Sequence, residues 1–367
     1  MIHERIDIES IEVPKGVCKV LSQKTVVDTH FKFLEDRMNG NYTKLESFSP
    51  QLDKALGYIE ANTTMLISAR SGGGKSTLSK RLSTSIINNY EKARPGKVEC
   101  LSFNFEMVAH KTIGRQLSNM SNVSLDTLYS KDEPLDPNVF KSLLRKYKSD
   151  LLNTPMTYVE EPATYDQIGH SVMFYWNLLC REDKKLFIVE IDHVMITKGK
   201  DGDLQKDKID KVMDILNVCK KRISSMGGEV VFLVLSQMNR DIISKERLLN
   251  PQLHYPNTSD LFGSSAIEFY SDYIIIANNP SRMNIRSYTD QQLPTTIWDN
   301  DMGRERDMIY FHILKNRDGE PDRIVPYISK LHRFDFEEID KPDFIKYHND
   351  FKATGQCTKV SKLKLNQ

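Results

Sequence analysis

The chain has 367 residues, 39% of them hydrophobic, with 51 Lys and Arg against 50 Asp and Glu. That is enough apolar material for one large domain or two small ones, and the near-zero balance excludes a global polyanion-binding charge, so any nucleic-acid contact must be local. Five scattered cysteines without a CxxC pair, no apolar run near the ~18 residues of a membrane span, and no charged-then-apolar leader predict a reducing cytoplasmic setting with neither disulfides nor structural zinc.

In chain order, residues 1–44 are too few to build a core of their own. They hold one expected helix, with Val27, Phe31, Leu34 and Met38 on a single face and a stop near Gly40. That stripe needs cover, from its own domain or from a neighbouring subunit. From residue 64 onward strands and helices alternate. The pattern predicts a strand over 64–69, a helix over 75–90, a strand over 98–105, a helix over 106–120 and a short strand over 156–160. A helix follows with Ile168, Val172, Tyr175 and Leu179 at helical spacing. A strand over 186–191 precedes a helix carrying Ile209, Val212, Leu216, Cys219 and Ile223, and a strand over 229–235 comes next. Two later strands, 272–277 and 308–314, precede a hairpin at Asp318-Gly319 that leads into 323–328.

This alternation predicts an α/β fold: a mainly parallel twisted sheet with helices on both faces, plus a C-terminal β-hairpin. The expected organisation is an N-terminal segment over 1–44, an α/β domain over 45–338 and a basic tail over 339–367. The last 16 residues contain four lysines and no acid. They read as a solvated end or as an arm that touches nucleic acid or a partner.

The most informative stretch is Ala69-Arg70-Ser71-Gly72-Gly73-Gly74-Lys75-Ser76-Thr77, set between the first strand and its helix. This is the layout of a phosphate-binding P-loop: consecutive backbone amides surround an anion and the helix N-terminus adds partial positive charge. Lys75 would reach the terminal phosphates of a nucleoside triphosphate, and the Ser76 hydroxyl a Mg²⁺ ion. The generic pattern wants glycine five residues before Gly74, where this chain has Ala69. If that position required a glycine backbone, alanine would cost about 1 kcal/mol or a little more.

In a doubly wound sheet the ligand lies beyond the carboxyl ends of the strands, so residues just past each strand matter most. Asp192 ends an apolar strand, where a carboxylate suits the hard Mg²⁺ ion. Glu190 shares its face, two residues earlier. Glu106 follows another strand end and is placed to deprotonate an attacking water, or simply to favour a helix dipole. Gln237 ends a third strand, as a γ-phosphate sensor or a capping polar residue. Lys315 and Arg317 end the strand over 308–314, as transition-state cations or as solvated edge charges.

The order and spacing of these stretches resemble the RecA-like motor domain of replicative ring helicases, the DnaB-like family. The resemblance rests on the loop from Ala69 to Ser76, Phe105-Glu106-Met107, the strand ending in Asp192, and Leu235-Ser236-Gln237-Met238-Asn239-Arg240. It also rests on Ser259-Asp260-Leu261 with Ala266-Ile267-Glu268 and Asp272, and on Lys315-Asn316-Arg317-Asp318-Gly319. It spans roughly residues 44 to 336. The family often carries alanine at the position of Ala69, and His193 looks like a variant of phage-type members, not a metal ligand.

The resemblance implies an ATP-hydrolysing DNA helicase with Lys75 and Ser76 on phosphate and Mg²⁺, Glu106 as base, Asp192 as Walker B acid, Gln237 as sensor and Arg115 at the nucleotide. It implies that Lys315 and Arg317 act in trans, completing the ATP site of the next subunit in a homo-hexamer. Single-stranded and forked DNA are the implied substrates, a helicase loader or primase the implied partner, and 5′ to 3′ the implied polarity. Channel loops would present Lys198, Lys200, Arg240, Phe262, Gly263 and Ser264 to DNA, with Lys245 and Arg247 adding charge. Two departures stand out. About 45 residues replace the family's N-terminal domain, so the segment is expected to keep only a linker helix near 27–38. Phe262 also stands where the family usually has arginine, either stacking on a base or joining the core. Two other readings remain open at this point: a RecA-like recombination or repair ATPase forming filaments, and a nucleotide-binding ring that does not translocate.

Overall fold

The computed structural model describes residues 20–41, 44–199, 202–262, 265–299 and 303–354. The chain divides into two units, residues 1–44 and 45–367. In the first, α1 (Gln23–Met38) starts at Ser22, whose side chain accepts from the Thr25 amide and so satisfies one orphan helix donor. No residue of α1 is buried within this unit, and Phe31 and Met38 are 65% and 80% exposed.

The second unit opens with α2 (Pro50–Leu56), β1 (Thr63–Ala69), α3 (Lys75–Ala93), β2 (Val98–Asn104) and α4 (Ala109–Ser121). Two helices absent from the sequence reading follow, α5 (Leu125–Leu128) and α6 (Pro137–Asn153). Next come β3 (Met156–Val159), α7 (Tyr165–Arg181), β4 (Leu186–Asp192), α8 (Gln205–Ser225), β5 (Glu229–Gln237), α9 (Lys245–Leu249), α10 (Ser265–Tyr270) and β6 (Tyr273–Asn278). The chain closes with β7 (Ser287–Tyr288), β8 (Leu293–Pro294), β9 (Thr296–Asp299), β10 (Arg304–Asn316), β11 (Arg323–Lys330), β12 (Asp335–Glu338) and α11 (Lys341–Thr354). Thus a helix stands within the stretch 339–367, with Phe344 and Tyr347 packed on the core.

The main sheet runs in the order β12-β11-β10-β6-β1-β5-β4-β2-β3, with β9 pairing to β10. From β6 to β3 all pairings are parallel, and β10, β11 and β12 add antiparallel strands at one side. The fold is therefore α/β, and the expected hairpin is part of an antiparallel extension of the same sheet. Strands β1 and β6 are buried along their whole length, as strands covered on both faces must be. One core packs α7 and α8 on one face, through Ile168, Val172, Trp176, Ile209, Val212 and Leu216; the other packs α2 and α3, through Leu52, Leu78, Leu82 and Ile86.

The apolar stripe of α8 is buried as its spacing predicts, from Ile209 to Ile223. That of α7 is shifted: Ile168 and Val172 are buried, but Tyr175 is 40% exposed and Trp176 takes the core position. Trp176 stacks on Phe187 of β4, with ring centroids 6.0 Å apart, which places the larger apolar surface inside. Among the described residues no helix is long and apolar enough to cross a membrane.

Candidate functional site

The loop after β1 is shaped by its glycines. Gly74 has φ +95° and caps α3, and a Cβ there would lie 3.1 Å from both Leu331 and Phe336. The Gly73 amide donates to the Arg70 carbonyl at 2.8 Å, and a Cβ on Gly73 would meet that oxygen at 2.9 Å. Ala69, in contrast, is the last residue of β1, in register with Gln237 of β5 and Ala277 of β6, and its φ is not positive. The strand needs no glycine there, so the cost anticipated for alanine does not arise. Arg70 is half-buried, Ser71 and Gly72 are exposed, and Thr77 is buried under the first turn of α3.

Three strand ends converge on this loop. Lys75 Nζ lies 2.8 Å from Glu106 Oε2 and 3.3 Å from Asp192 Oδ1, and Ser76 Oγ donates to Asp192 Oδ2 at 3.0 Å. Burial pushes the Glu106 carboxyl up, but the hydrogen bond and charge of Lys75, with a smaller contribution from the Arg115 charge, outweigh it and hold the group below the usual glutamate range. Arg115, on α4, is partly buried; burial lowers its pKa while Asp192 and Glu106 oppose that shift. Its guanidinium lies 4.4 Å from the Phe334 ring centroid. A cavity of about 510 Å³ runs from Ser76 and Asp192 between α3 and α4, with Lys80, Thr84, Asn104 and Arg115 in its wall.

Glu190 and Asp192 share a face of β4 but have separate surroundings. Glu190 is 2% exposed and paired with Lys80 Nζ at 2.5 Å, and it accepts from Ser79 Oγ at 3.3 Å and Ser102 Oγ at 2.8 Å. Asp192 alone faces Ser76. A hydroxyl and a carboxylate oxygen set 3.0 Å apart are hard donors that fit Mg²⁺, which keeps its remaining positions for water and phosphate.

Gln237 stands at the end of β5, where its side-chain Oε1 is 3.4 Å from His193 Nε2. His193 is buried, and burial, then the Lys75 charge, pushes its pKa below the usual histidine range, which favours the neutral ring. The sequence reading gave His193 no role; its position directly after Asp192 at the end of β4 was the signal that its ring could reach Gln237. Arg282 was also missed. It lies just past the carboxyl end of β6, and its Nη1 donates to the Gly72 carbonyl at 2.7 Å.

Lys315 and Arg317 are not among the converging ends. β10 runs antiparallel to β6, so Lys315 pairs with Ile274 and Asn316 with Tyr273, at the start of β6. Tyr273 in turn pairs with Met65, four residues before Ala69, about 13 Å along β1 at ~3.3 Å per residue. The two cations thus occupy the end of the strands opposite the glycine-rich loop of their own chain. Lys315 Nζ donates to the carbonyls of Glu268 and Phe269 at 2.5 and 3.5 Å, and Arg317 Nη1 meets Asp272 Oδ1 at 2.6 Å.

Of the residues assigned to DNA, Lys198 is exposed while its amide is tied to the Ala163 carbonyl at 2.9 Å, and Arg240 is exposed. Phe262 is 39% exposed, so it is not a core residue. Lys200, Gly263 and Ser264 lie outside the described residues. Lys245 is exposed, but Arg247 is turned inward: it pairs with buried Asp260 and donates to the Leu253 and Tyr255 carbonyls at 2.9 and 2.7 Å. It braces the segment before Leu261 and does not add surface charge.

The model of the DnaB-like helicase C-terminal domain family matches residues 45–336. Among solved structures, the chain is similar to the ATPase domain of G40P, at 16% identity and a TM-score of 0.64, covering 86% of this chain and 99% of that one. It is also similar to a DnaB-like replicative helicase described with its interactions with primase, at 18% identity and a TM-score of 0.65, covering 87% of this chain and 69% of that one. At these identities the structural likeness speaks to fold. No curated protein matches by sequence. The family match spans most of the chain and contains every strand from β1 to β11, so the chain belongs to the DnaB-like helicase C-terminal domain family.

Proposed function

We propose that the chain is an ATP-driven replicative DNA helicase that works as a homo-hexameric ring on single-stranded DNA and opens forked duplexes. The observation that carries this reading is the separation of two sets of side chains between opposite ends of the sheet's strands. Lys75, Ser76, Glu106 and Asp192 meet at the carboxyl ends of the parallel strands, and Lys315 and Arg317 stand at the other end. A contact in which one end meets the other end of the next copy is heterologous, and such contacts generate rings when the rotation closes.

In this reading residues 1–44 supply a linker helix and 45–338 the motor, onto which α11 of the stretch 339–367 packs through Phe344 and Tyr347. The amides of residues 70–77 and Lys75 hold the triphosphate. Ser76 and Asp192 hold Mg²⁺, which neutralises phosphate charge when bound. Lys75, now between two carboxylates, turns to phosphate and releases Glu106, which takes the proton of the attacking water. Gln237, held by His193, reads the γ-phosphate. Arg317 and Lys315 of one copy stabilise charge developing on the phosphate bound to the next. Lys198, Lys200, Arg240 and residues 262–264 meet the DNA backbone or bases. The relative described with primase supports a primase as a further partner.

The test is multiple-turnover unwinding of a forked duplex with ATP and Mg²⁺, with Lys75→Ala as control, alongside the particle mass under the same conditions. Unwinding by the wild type alone, from a hexamer, is expected. DNA-stimulated hydrolysis without unwinding would leave an ATPase and remove the helicase claim.

A further inference from the structure

Asp272 lies between α10 and β6, away from the glycine-rich loop, and its carboxyl group is buried. Oδ2 accepts from the Thr64 amide at 2.8 Å and from Lys220 Nζ at 2.7 Å, while Oδ1 meets Arg317 Nη1 at 2.6 Å. The main chain repeats the link: the Arg317 amide donates to the Asp272 carbonyl at 3.0 Å, and the Asp272 amide donates to the Thr64 carbonyl at 2.7 Å. Two cations share one carboxylate, so the cluster keeps net positive charge.

The exposures of the partners differ in a telling way. Lys220 and Asp272 side chains are 11% and 5% exposed, whereas Arg317 is 54% exposed. One end of the guanidinium is anchored to a rigid buried acid and the rest faces outward. An arginine free in solvent samples many rotamers, and ordering it during the reaction raises the barrier; one fixed beforehand acts without that reorganisation. For stability alone, so exposed a bridge contributes little.

We propose that Asp272 is the positioning residue for Arg317, holding its guanidinium ready for the phosphate bound by a neighbouring copy. This rests on the trans role of Arg317 given under Proposed function. The competing role for Asp272 is purely structural, as partner to Lys220 and Thr64.

Single-turnover and steady-state ATP hydrolysis of Asp272→Asn, Arg317→Ala and the double variant separate the two. Because Asp272→Asn leaves Lys220 without its anion, the series is repeated in Lys220→Met, with thermal melts to confirm folding. Expected is a fall in kcat of about tenfold or more for Asp272→Asn, with KM for ATP within about twofold, and no further fall when it is added to Arg317→Ala. Wild-type kcat in Asp272→Asn overturns the proposal, as does an equal fall in the presence and absence of Arg317. The broader reading fails separately: hydrolysis that is absent, or indifferent to Lys75→Ala, removes the ATPase itself. Lys75-dependent hydrolysis indifferent to Arg317→Ala removes only the trans cation, and with it the role of Asp272.

Discussion

The amide of Phe262 donates to the main-chain carbonyl of Gln237 at 2.9 Å, and the Ser236 hydroxyl donates to the Phe262 carbonyl at 3.2 Å. The same pairing continues outward, with Met238 bridged to Leu261 and the Asn239 amide on the Asp260 carbonyl at 2.7 Å. Gln237, proposed to read the γ-phosphate, and Phe262, proposed to meet DNA, are therefore joined through backbone. The link from the β5 end to residue 262 needs no intervening side chain.

Phe262→Ala separates a base-stacking ring from a packing ring. A half-exposed side chain contributes little to stability, so melting should move by less than about 0.5 kcal/mol equivalent. Loss of one base–aromatic stack should weaken single-stranded DNA binding by about 1–3 kcal/mol. Fluorescence anisotropy at fixed salt measures it. Unchanged affinity together with a large drop in melting temperature would return Phe262 to a packing role.

The loop glycines and Ala69 predict opposite outcomes. Gly74→Ala forces a side chain onto φ +95° and against Leu331 and Phe336, a cost of at least about 1 kcal/mol that falls on the nucleotide-binding conformation. Affinity for a non-hydrolysable ATP analogue should drop about fivefold or more by calorimetry. Ala69→Gly, at a strand end with ordinary φ, should leave that affinity within about twofold. Tighter binding by Ala69→Gly would show that alanine strains the loop after all.

These residues also show what a sequence can reveal. The loop, the strands that feed it and the acids at their ends were legible because each is local: an apolar run, a glycine cluster, a carboxylate at a strand end. Strand direction is not local. Nothing in the residues around Lys315 says that β10 runs antiparallel to β6, and that reversal moves Lys315 and Arg317 to the far end of the strands. The shift from Tyr175 to Trp176 on α7 was hidden for a related reason, since the buried face is chosen by what waits on the sheet, here Phe187. Arg247 looked like loose charge because its partner, Asp260, lies 13 residues away in a turn with no periodic pattern.

Acid should weaken the fold through a buried histidine. His312 is buried beside Tyr288, with its Nε2 2.7 Å from the phenol oxygen, and burial pushes its pKa down from 6.5 to about 3. The unfolded chain takes a proton near 6.5 and the folded chain does so only near 3. Stability is therefore full above about 6.5 and is lost as pH falls toward 3, by about 1.4 kcal/mol per pH unit. Between pH 7 and 5 the loss from His312 should be about 2 kcal/mol by urea unfolding. His193 and His254, also lowered by burial, act in the same direction. His312→Gln should flatten the slope; a slope identical to wild type would contradict this assignment.

The two acids of β4 give the last prediction, because each has its own consequence when neutralised. Glu190→Gln leaves Lys80 buried without its anion, and breaking such a pair costs about 3–5 kcal/mol. Burial disfavours both charges, yet the Lys80 pKa is raised and the Glu190 pKa lowered, so mutual attraction outweighs desolvation. Glu190→Gln should therefore lower the melting temperature sharply, and Lys80→Met with Glu190→Leu should recover much of the loss, since an apolar pair needs no compensation. Asp192→Asn should do the reverse. Its side chain is part-exposed and faces Ser76 and Lys75, so melting should change little while Mg²⁺-dependent hydrolysis falls by roughly two orders of magnitude. Titrating Mg²⁺ against hydrolysis in both variants distinguishes the acids. If Glu190→Gln melted like the wild type and lost its Mg²⁺ dependence while Asp192→Asn kept it, the metal-facing role would belong to Glu190. The buried ion pair beneath α3 would then have to break whenever nucleotide binds.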